Sequence, residues 1–336
     1  MSLLTHLTRV VSHEHLSAED AEKAMELILR GEATQPQIAG FLVALRMKGE
    51  TVSELVGFAR AMRRMATPIE HGLDGQVLLD TCGTGGDGCN TFNISTIAAF
   101  VVAGAGVHVA KHGNRSISSK CGSADLLEAW GIRVPMPSED AARAIREVGI
   151  GFLFAPAVHT AMKHAHPVRT DLKLRTVFNL LGPLTNPAGA TAQLLGGPSK
   201  KSAELMAGAM AELGLKRGFV VHGRDGLDEI TTTGPTDAWE IRDGKVEHRV
   251  LEPADFAVHA ASKADIEGGE QARNLEIANA VLDGARGPQR DIVLVNAAAA
   301  LVAAGKAETF LEGMAIGVVS IDSGAAKAKV AALARV

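Results

Sequence analysis

The amino-acid sequence predicts an α/β protein, with a small N-terminal helical bundle and a large domain built on a central, mostly parallel sheet flanked by helices. Residues 1–66 show only the apolar spacing of amphipathic helices. From residue 76 to residue 336, short apolar runs alternate with longer amphipathic segments. This alternation is typical of strands that are each followed by a covering helix. Residues 68–75 read as the linker between the two parts.

Capping residues delimit the helices of the bundle. A serine followed by two acidic residues begins a helix over 17–31, and a threonine–glutamine pair begins the next over 34–49. Thr51 with Glu54 forms a capping box for a third helix that ends near residue 66.

Five apolar runs and one turn signal outline the sheet of the large domain. The runs that predict strands are 77–80, 107–110, 151–154, 192–195 and 218–222. An Asp-Gly pair inside residues 239–246 predicts a hairpin. The predicted helices of this domain are 95–103, 123–130, 139–148, 156–180, 201–213, 270–283, 288–304 and 306–334.

Charge and composition argue against several classes of protein. The net charge is −4, and the chain has no Tyr and two Trp, so it lacks both the basic surface and the stacking aromatics of a nucleic-acid-binding protein. No apolar stretch reaches the roughly 18 residues of a membrane span, and the first residues lack the pattern of a signal peptide. Three cysteines without metal-type spacing fit reduced thiols. We therefore expect a cytoplasmic enzyme with neither a nucleic-acid nor a membrane partner.

A glycine-rich loop follows the first predicted strand. Residues 80–88 read Asp-Thr-Cys-Gly-Thr-Gly-Gly-Asp-Gly, and hydroxyls follow at Thr91, Ser95 and Thr96, where a helix begins. Glycines let backbone N–H groups approach an anion, and Ser or Thr can bind phosphate or Mg²⁺. The loop matches neither the Walker A spacing nor the dinucleotide fingerprint. A tight turn is the alternative, but the helix start directly after it favours a phosphate site.

A second loop follows the next predicted strand. Its residues are Lys111, His112, Gly113, Asn114, Arg115, Ser116, Ile117, Ser118 and Ser119. Two cations and three serine hydroxyls at a strand end favour an anion site over a solvated surface, because ligands of α/β proteins bind at such ends. Two neighbouring loops of this kind indicate a ligand with several phosphates.

Acidic and basic residues elsewhere add candidates. Asp228 and Glu229 follow the predicted strand 218–222; alone they suggest a solvated face, but beside two phosphate loops they suggest Mg²⁺ ligands. Arg169 and Arg175 each offer a fork for a substrate carboxylate, and either could equally be an ion-pair partner. The histidines at 159, 164 and 166 lack acidic partners at metal-ligand spacing and are interpreted as non-metal residues.

These motifs together resemble the anthranilate phosphoribosyltransferase family of the class IV phosphoribosyltransferase, nucleoside phosphorylase-like fold, over essentially the whole chain. The motifs that carry the resemblance are residues 80–87, 93–96, 111–119, 121–125, 175–187 and 227–229. The loops alone are shared with the related pyrimidine nucleoside phosphorylases. The run Arg-Thr-Val-Phe-Asn-Leu-Leu-Gly-Pro-Leu-Thr-Asn-Pro at 175–187, together with Lys-His-Gly-Asn-Arg at 111–115, is far more specific.

The resemblance implies a set of binding residues. Those implied for phosphoribosyl pyrophosphate are Gly83, Gly86, Asp87, Thr91, Asn93, Ile94, Ser95, Thr96, Lys111, His112, Gly113, Asn114, Arg115, Ser116, Ile117, Ser118, Ser119 and Ser123. Those implied for anthranilate are Gly83, Asn114 and Arg169. Ser95, Asp228 and Glu229 would hold two Mg²⁺ per monomer on the pyrophosphate.

The resemblance also implies a homodimer, and this chain departs from the family at two positions. The family is similar in forming a homodimer through the helical domain, which takes in a middle segment around residues 170–190. The family more often has Pro where Thr160 stands and Gly where Lys173 stands. Lys173 is close enough to Arg169 to affect the shape of the anthranilate entrance.

The implied reaction needs little acid–base machinery. It transfers the phosphoribosyl group to the amine of anthranilate, in tryptophan biosynthesis. That amine is neutral at pH 7, so positioning and electrostatics can carry catalysis, with no certain catalytic residue. His112 is a hypothetical proton acceptor after attack. The alternatives are a pyrimidine nucleoside phosphorylase and a non-enzymatic paralogue that binds nucleic acid, which the acidic pI of about 6.3 disfavours.

Overall fold

Four helices form the N-terminal bundle. The computed structural model describes residues 2–115 and 120–336. The bundle helices are α1 (Leu3–Val11), α2 (Ala18–Leu29), α3 (Gln35–Lys48) and α4 (Val52–Met65). The predicted caps are present: the Ser17 hydroxyl accepts from the N–H of Asp20 at 3.1 Å, and the Thr51 N–H donates to Glu54 at 2.9 Å.

A seven-stranded sheet forms the centre of the large domain. Its strands are β1 (Leu78–Asp80), β2 (His108–Gly113), β3 (Ile150–Phe154), β4 (Ala192–Gly196), β5 (Arg217–Gly223), β6 (Thr236–Arg242) and β7 (Lys245–Leu251). Their order is β3-β2-β1-β4-β5-β6-β7, with β1 to β5 parallel and β6 and β7 antiparallel. Asp243 and Gly244 join the last two strands, with φ of 51° and 77°, as a type I′ hairpin turn requires. The predicted mostly parallel sheet is thus confirmed.

Helices cover the sheet and complete the domain. They are α5 (Ile94–Gly104), α6 (Ser123–Ala129), α7 (Ser138–Arg143), α8 (Ala155–Val158), α9 (His166–Leu172), α10 (Val177–Leu181), α11 (Lys200–Glu212), α12 (Gln271–Leu282), α13 (Pro288–Ala303), α14 (Phe310–Asp322) and α15 (Ala325–Leu333). Helices α5 and α13 are buried along nearly their whole length. Their small, apolar residues therefore face protein on every side.

Two hydrophobic cores organise the molecule. One contains α5, α13 and the strands β1 to β3. The other joins the four bundle helices to α9, α10 and α11 and to residues of β5 and β6. Phe41 and Phe58 pack edge to face in it, with ring centroids 6.1 Å apart. Residues 165–184 thus share their core with the bundle although they lie far from it in sequence.

Four predicted elements differ from the structure. The predicted helix 139–148 is α-helical only to Arg143 and continues as a π-helical turn over Ala144–Val148. The predicted helix 156–180 is broken into α8, a 3₁₀ turn at Thr160–His164, α9 and α10, because Pro156 and Pro167 open new helices and Lys173 ends α9 with a φ of +50°. The predicted helix 306–334 is divided into α14 and α15 at Gly324. The predicted second loop begins inside β2, which extends through Gly113 because β3 pairs with it to that residue.

Within residues 2–115 and 120–336, none of the helices combines the length and the apolar character needed to span a bilayer.

Candidate functional site

The glycine-rich loop lies at the carboxyl edge of the sheet, between the ends of β1 and β4. Gly83 forms a bridge with Gly196, and the Thr84 N–H donates to the Gly196 carbonyl at 3.0 Å. A Cβ on Gly196 would stand 1.6 Å from the carbonyl oxygen of Asp228. The loop, the end of β4 and the segment after β5 are therefore in backbone contact, which only glycine at position 196 allows.

Arg175 holds the outer side of this loop. Gly85 and Gly86 have φ of 64° and 68°, a left-handed conformation that glycine adopts without strain. The Arg175 guanidinium donates to the Gly86 carbonyl at 2.5 Å and to the Gly85 carbonyl at 2.9 Å. The fork of Arg175 is therefore engaged with protein backbone.

Asp228 and Glu229, which follow β5, contact the glycine-rich loop and the start of α5. The Gly85 N–H donates to Asp228 Oδ2 at 2.7 Å, and the Ser95 N–H, in the first turn of α5, donates to Glu229 Oε1 at 3.2 Å. Asp87 accepts a longer bond of 3.4 Å from the Asp228 N–H. The carboxyl groups of Asp87, Asp228 and Glu229 are thus neighbours at the sheet edge, close enough for their charges to affect one another.

The charge of this cluster is unbalanced. Burial, followed by the charge of Asp87, raises the pKa of Asp228. Burial, followed by the charge of Asp228, raises the pKa of Glu229. A cation at this point would relieve both repulsion and desolvation. Hard carboxylate oxygens suit Mg²⁺, which protein side chains seldom enclose completely. In the described part of the chain, no three His, Cys, Asp or Glu side chains are arranged to hold a metal by themselves.

Lys111 lies between the two loops. It projects from β2 and is almost completely buried. Its ammonium donates to the Thr81 carbonyl at 2.7 Å and lies 3.5 Å from the Ser95 hydroxyl. Lys111 therefore supports the end of β1 and places a positive charge beside the start of α5.

A buried polar network lies behind Lys111. Asp80 Oδ1 accepts from the His112 N–H at 3.1 Å, and Asp80 Oδ2 accepts from the Asn186 amide at 2.8 Å. Burial raises the pKa of Asp80 to about 6 despite these bonds. Asn186 also donates to the Ala110 carbonyl at 2.8 Å, so one side chain ties the 182–187 segment to two strands.

His112 is a neutral imidazole. Burial, followed by the neighbouring His159, lowers the pKa of His112 to about 3. Its Nδ1 lies 3.1 Å from the Gly182 carbonyl, and since a carbonyl only accepts, Nδ1 carries the proton. Nε2 then presents a lone pair, and it has no hydrogen-bond partner among the residues that the structure describes.

The residues after β2 turn toward α6. The Asn114 carbonyl accepts from the Ser123 hydroxyl at 3.1 Å, and Arg115 pairs with Glu128 through bonds of 2.5 and 2.6 Å. A Cβ on Gly113 would stand 2.5 Å from the Ser123 hydroxyl. Arg115 is thus committed to a surface ion pair, whereas the Asn114 side chain is exposed. Four further candidates lie outside the described residues: Ser116, Ile117, Ser118 and Ser119.

Four of the candidates at 91–96 make contacts within the protein, whereas Ser95 is half-exposed. Thr91 bridges Glu267, and the Asn93 side chain donates to the Cys121 carbonyl at 3.1 Å. Asn93 also accepts from the amide of Asn274 at 3.0 Å. Two neighbouring candidates, Ile94 and Thr96, are buried in the first turn of α5.

Arg169 differs from Arg175 because its guanidinium has no hydrogen-bond partner among the described residues, whereas that of Arg175 bonds to two backbone carbonyls. It lies on α9 with its guanidinium 5.3 Å from the centre of the Phe178 ring. Burial lowers the pKa of Arg169. No ion pair to Arg169 occurs within the described ranges, so its fork is available to a ligand carboxylate.

Sequence reasoning missed Asn186 and Asn274 as contributors to the site. Asn186 belongs to a motif that carries the resemblance, but nothing nearby in sequence shows that it bonds Asp80, which is 106 residues away. Asn274 lies 181 residues from Asn93. An isolated Asn in an Ala-rich helix gives no sequence signal of such a contact.

Comparisons with known proteins give one consistent result. Two family descriptions match: the helical bundle domain of a glycosyl transferase family over residues 4–66, and the a/b domain of a glycosyl transferase family over residues 75–327. The anthranilate phosphoribosyltransferase of Solibacter usitatus is 78% identical over 334 residues, with 99% of this chain and 98% of the relative covered. That of Moorella thermoacetica is 54% identical, with 98% and 97% covered.

Solved structures agree in fold. The anthranilate phosphoribosyltransferase from Thermus thermophilus superposes with a TM-score of 0.91 at 42% identity, covering all of both chains. The Saccharomyces cerevisiae enzyme, in complex with PRPP and Mg, superposes with a TM-score of 0.90 at 30% identity, covering 99% of this chain and 97% of that one.

Proposed function

The chain belongs to the anthranilate phosphoribosyltransferase family, and from this premise we propose how its residues act. The protein transfers the phosphoribosyl group of 5-phosphoribosyl 1-pyrophosphate to the amine of anthranilate, in tryptophan biosynthesis, and releases pyrophosphate. One observation carries the assignment of the site. Asp228 and Glu229 bond to the N–H groups of Gly85 and Ser95, and the ammonium of the second segment's Lys111 lies 3.5 Å from the Ser95 hydroxyl, so an acidic pair and both segments converge.

We propose that residues 83–96 and 111–123 bind phosphoribosyl pyrophosphate. The left-handed glycines let the loop backbone approach phosphate oxygens, and the N-terminus of α5 places the positive end of the helix dipole beside them. Asp228 and Glu229, with the Ser95 hydroxyl, would hold two Mg²⁺ per monomer, because their unbalanced charge calls for cations. When bound, Mg²⁺ neutralises charge on the departing pyrophosphate.

We propose that anthranilate lies on the opposite side of the ribose. Arg169 is partly buried, and its guanidinium has neither an ion pair nor a hydrogen bond among the described residues, so it would bind the carboxylate of anthranilate. The exposed amide of Asn114, at the end of β2, and the backbone of Gly83 would complete the acceptor site. Both substrates would then be held at the carboxyl edge of the sheet.

The chemistry rests mainly on positioning. The aromatic amine attacks with its own lone pair, so no general base is needed before attack. A pKa of about 3 leaves His112 a weak base at neutral pH. Its Nε2 carries a lone pair without a partner in the described structure but is buried, so His112 would accept a hydrogen bond from the amine, which becomes acidic after attack, once substrate binding exposes this atom.

We further propose a cytoplasmic homodimer that associates through the helical domain. Leu4, Val11 and Met47 are exposed by 53%, 61% and 76%, and they lie on α1 and α3. Exposed apolar side chains on two helices of the same bundle are typical of a subunit interface. We assign residues 1–66, with the segment around 170–190, to the helical domain and residues 76–336 to the α/β domain, since 165–184 share the bundle's core.

Anthranilate fluorescence tests the assignment directly. With purified protein, the fluorescence of anthranilate should decrease only when phosphoribosyl pyrophosphate and Mg²⁺ are both present. Asp228→Ala and Glu229→Ala should each lose most activity and the response to Mg²⁺. An unchanged rate in either variant at saturating Mg²⁺ would contradict the metal assignment.

The pyrimidine nucleoside phosphorylase alternative receives no support from the comparisons. A phosphorylase binds one inorganic phosphate and would leave the Asp228–Glu229 pair without a role. Phosphorolysis of a pyrimidine nucleoside by the folded protein, without anthranilate consumption, would favour that alternative.

A further inference from the structure

The guanidinium of Arg175 donates to two successive carbonyls of the glycine-rich loop (residues 80–88), which is the phosphate loop of the proposed function. In a trans peptide the C=O and the next N–H point in opposite directions. The Gly85 and Gly86 carbonyls face Arg175. The N–H groups of Gly86 and Asp87 therefore face away from Arg175, and neither has a hydrogen-bond partner among the residues described.

Two adjacent free N–H groups after left-handed glycines form a concave anion site. Nothing in the loop itself selects this arrangement, because glycine adopts left-handed and right-handed conformations almost equally. A loop of four glycines within residues 83–88 would sample other peptide orientations. In this structure the contact with Arg175 accompanies the orientation in which the N–H groups of Gly86 and Asp87 point away from Arg175.

Arg175 is itself anchored from two sides. The side chain of Arg46, on α3, donates to the Arg175 carbonyl. The next residue, Thr176, begins α10, and its N–H donates to Asn179 at 2.9 Å. The phosphate loop is thereby connected, through one residue, to a helix of the N-terminal bundle.

We propose that Arg175 is a positioning residue for phosphoribosyl pyrophosphate: it turns the N–H groups of Gly86 and Asp87 toward the pyrophosphate, and Arg46 makes this orientation depend on the helical bundle. The inference rests on the proposed substrate. Arg175 touches neither substrate in this scheme, which separates it from Arg169.

Steady-state kinetics with variants of Arg175 and Arg46 test the proposal. Arg175→Ala should raise KM for phosphoribosyl pyrophosphate by about tenfold, because hydrogen bonds from a charged donor are lost and tenfold corresponds to about 1.4 kcal/mol. KM for anthranilate should stay within about twofold. Arg175→Lys should give a KM for phosphoribosyl pyrophosphate between those of wild type and Arg175→Ala, since one ammonium cannot hold two carbonyls as a guanidinium does.

Arg46→Ala should also raise KM for phosphoribosyl pyrophosphate, but by a smaller factor. The double variant should have the same KM as Arg175→Ala alone, because both residues act through one contact. Arg64→Ala, which removes an exposed arginine of the same bundle that pairs with Glu22 and Glu26, is the matched control and should leave both KM values unchanged.

Hydrogen exchange gives a readout that does not require turnover. In substrate-free protein, the peptide spanning 80–93 should exchange faster in Arg175→Ala than in wild type, and at the wild-type rate in Arg64→Ala. If wild-type protein consumes no anthranilate, the proposed function fails, whereas the exchange comparison still decides whether Arg175 orders the loop.

Two results would overturn the role of Arg175. A rise in KM for anthranilate alone would show that Arg175 binds the substrate carboxylate. Unchanged exchange in peptide 80–93, together with an unchanged KM for phosphoribosyl pyrophosphate, would show that the contact does not order the loop.

Discussion

Replacing Asn186 by Asp should destabilise the protein strongly and in a pH-dependent way. Asn186 is almost isosteric with Asp, but its amide donates to Asp80 Oδ2 and to the Ala110 carbonyl, both at 2.8 Å. Asn186→Asp removes both donors and places a second carboxylate against a fully buried one. The 2.9 Å bond from the Ala188 N–H to Asn186 Oδ1 would survive, because a carboxylate still accepts it.

The magnitude follows from those contacts. Losing a hydrogen bond to a charged acceptor costs about 1.5–3 kcal/mol, and leaving the Ala110 carbonyl unpaired costs about 1–3 kcal/mol more. We therefore expect the free energy of unfolding to fall by about 4 kcal/mol at pH 8, within the range for a broken buried polar pair.

The sign of the pH dependence follows from Asp80. Its pKa in the folded protein is already raised from 3.8 to about 6, and a second buried carboxylate would raise it further. A folded-state pKa above the unfolded value gives stabilisation that is complete below pH 3.8 and is lost as the pH rises through the folded pKa. The Asn186→Asp defect should accordingly be smaller at pH 5, where the two carboxyl groups can share a proton, than at pH 8.

Urea unfolding followed by tryptophan fluorescence at pH 5 and pH 8 measures this difference. The charge-swapped double variant, Asp80→Asn with Asn186→Asp, is the matched control, because it restores an amide–carboxylate pair and leaves only the Ala110 carbonyl without its donor. It should recover much of the stability lost at pH 8. An equal loss at both pH values in Asn186→Asp, or no loss at pH 8, would refute the role assigned to this network.

Two further substitutions test single residues. Lys173→Gly should raise the free energy of unfolding by about 1 kcal/mol in urea, because Lys173 holds a φ of +50° that costs a non-glycine residue about that much; a less stable variant would refute this. Arg169→Ala should raise KM for anthranilate at least about tenfold while KM for phosphoribosyl pyrophosphate changes little, because a bidentate charge-assisted contact is lost. A change in KM for phosphoribosyl pyrophosphate alone would show that Arg169 does not belong to the anthranilate site.

Local sequence was enough to predict the class of the fold. The caps at Ser17 and Thr51 and the Asp243–Gly244 turn are made by residues within four positions of one another, so their chemistry can be read from neighbours alone. Alternation of apolar runs with amphipathic segments likewise indicated a mostly parallel sheet. The family resemblance rested on contiguous motifs, chiefly residues 111–115 and 175–187.

Local sequence was not enough to predict the bounds of two elements, the helix 156–180 and the strand β2. The stretch 156–180 has helical spacing throughout, yet it breaks at Pro156, Pro167 and Lys173 to pack parts of itself into the bundle's core. The strand β2 runs through Lys111 to Gly113 because β3 pairs with it there. In β2 the pairing with a distant strand overrides the local pattern. In 156–180 the prolines are local signals that break the helix, whereas the packing of its pieces into the bundle's core depends on distant segments.

The contacts that define the site were decided by tertiary structure. Asp228 meets Gly85 across 143 residues, and Arg175 meets Gly86 across 89. Only the strand order, which places the ends of β1 and β4 side by side, brings them together. The sequence by itself determined which residue types were available for phosphate, metal and carboxylate. The fold decided that the fork of Arg175 would hold the phosphate loop and that of Arg169 would stay available, because a guanidinium binds whichever acceptor the packing brings within reach.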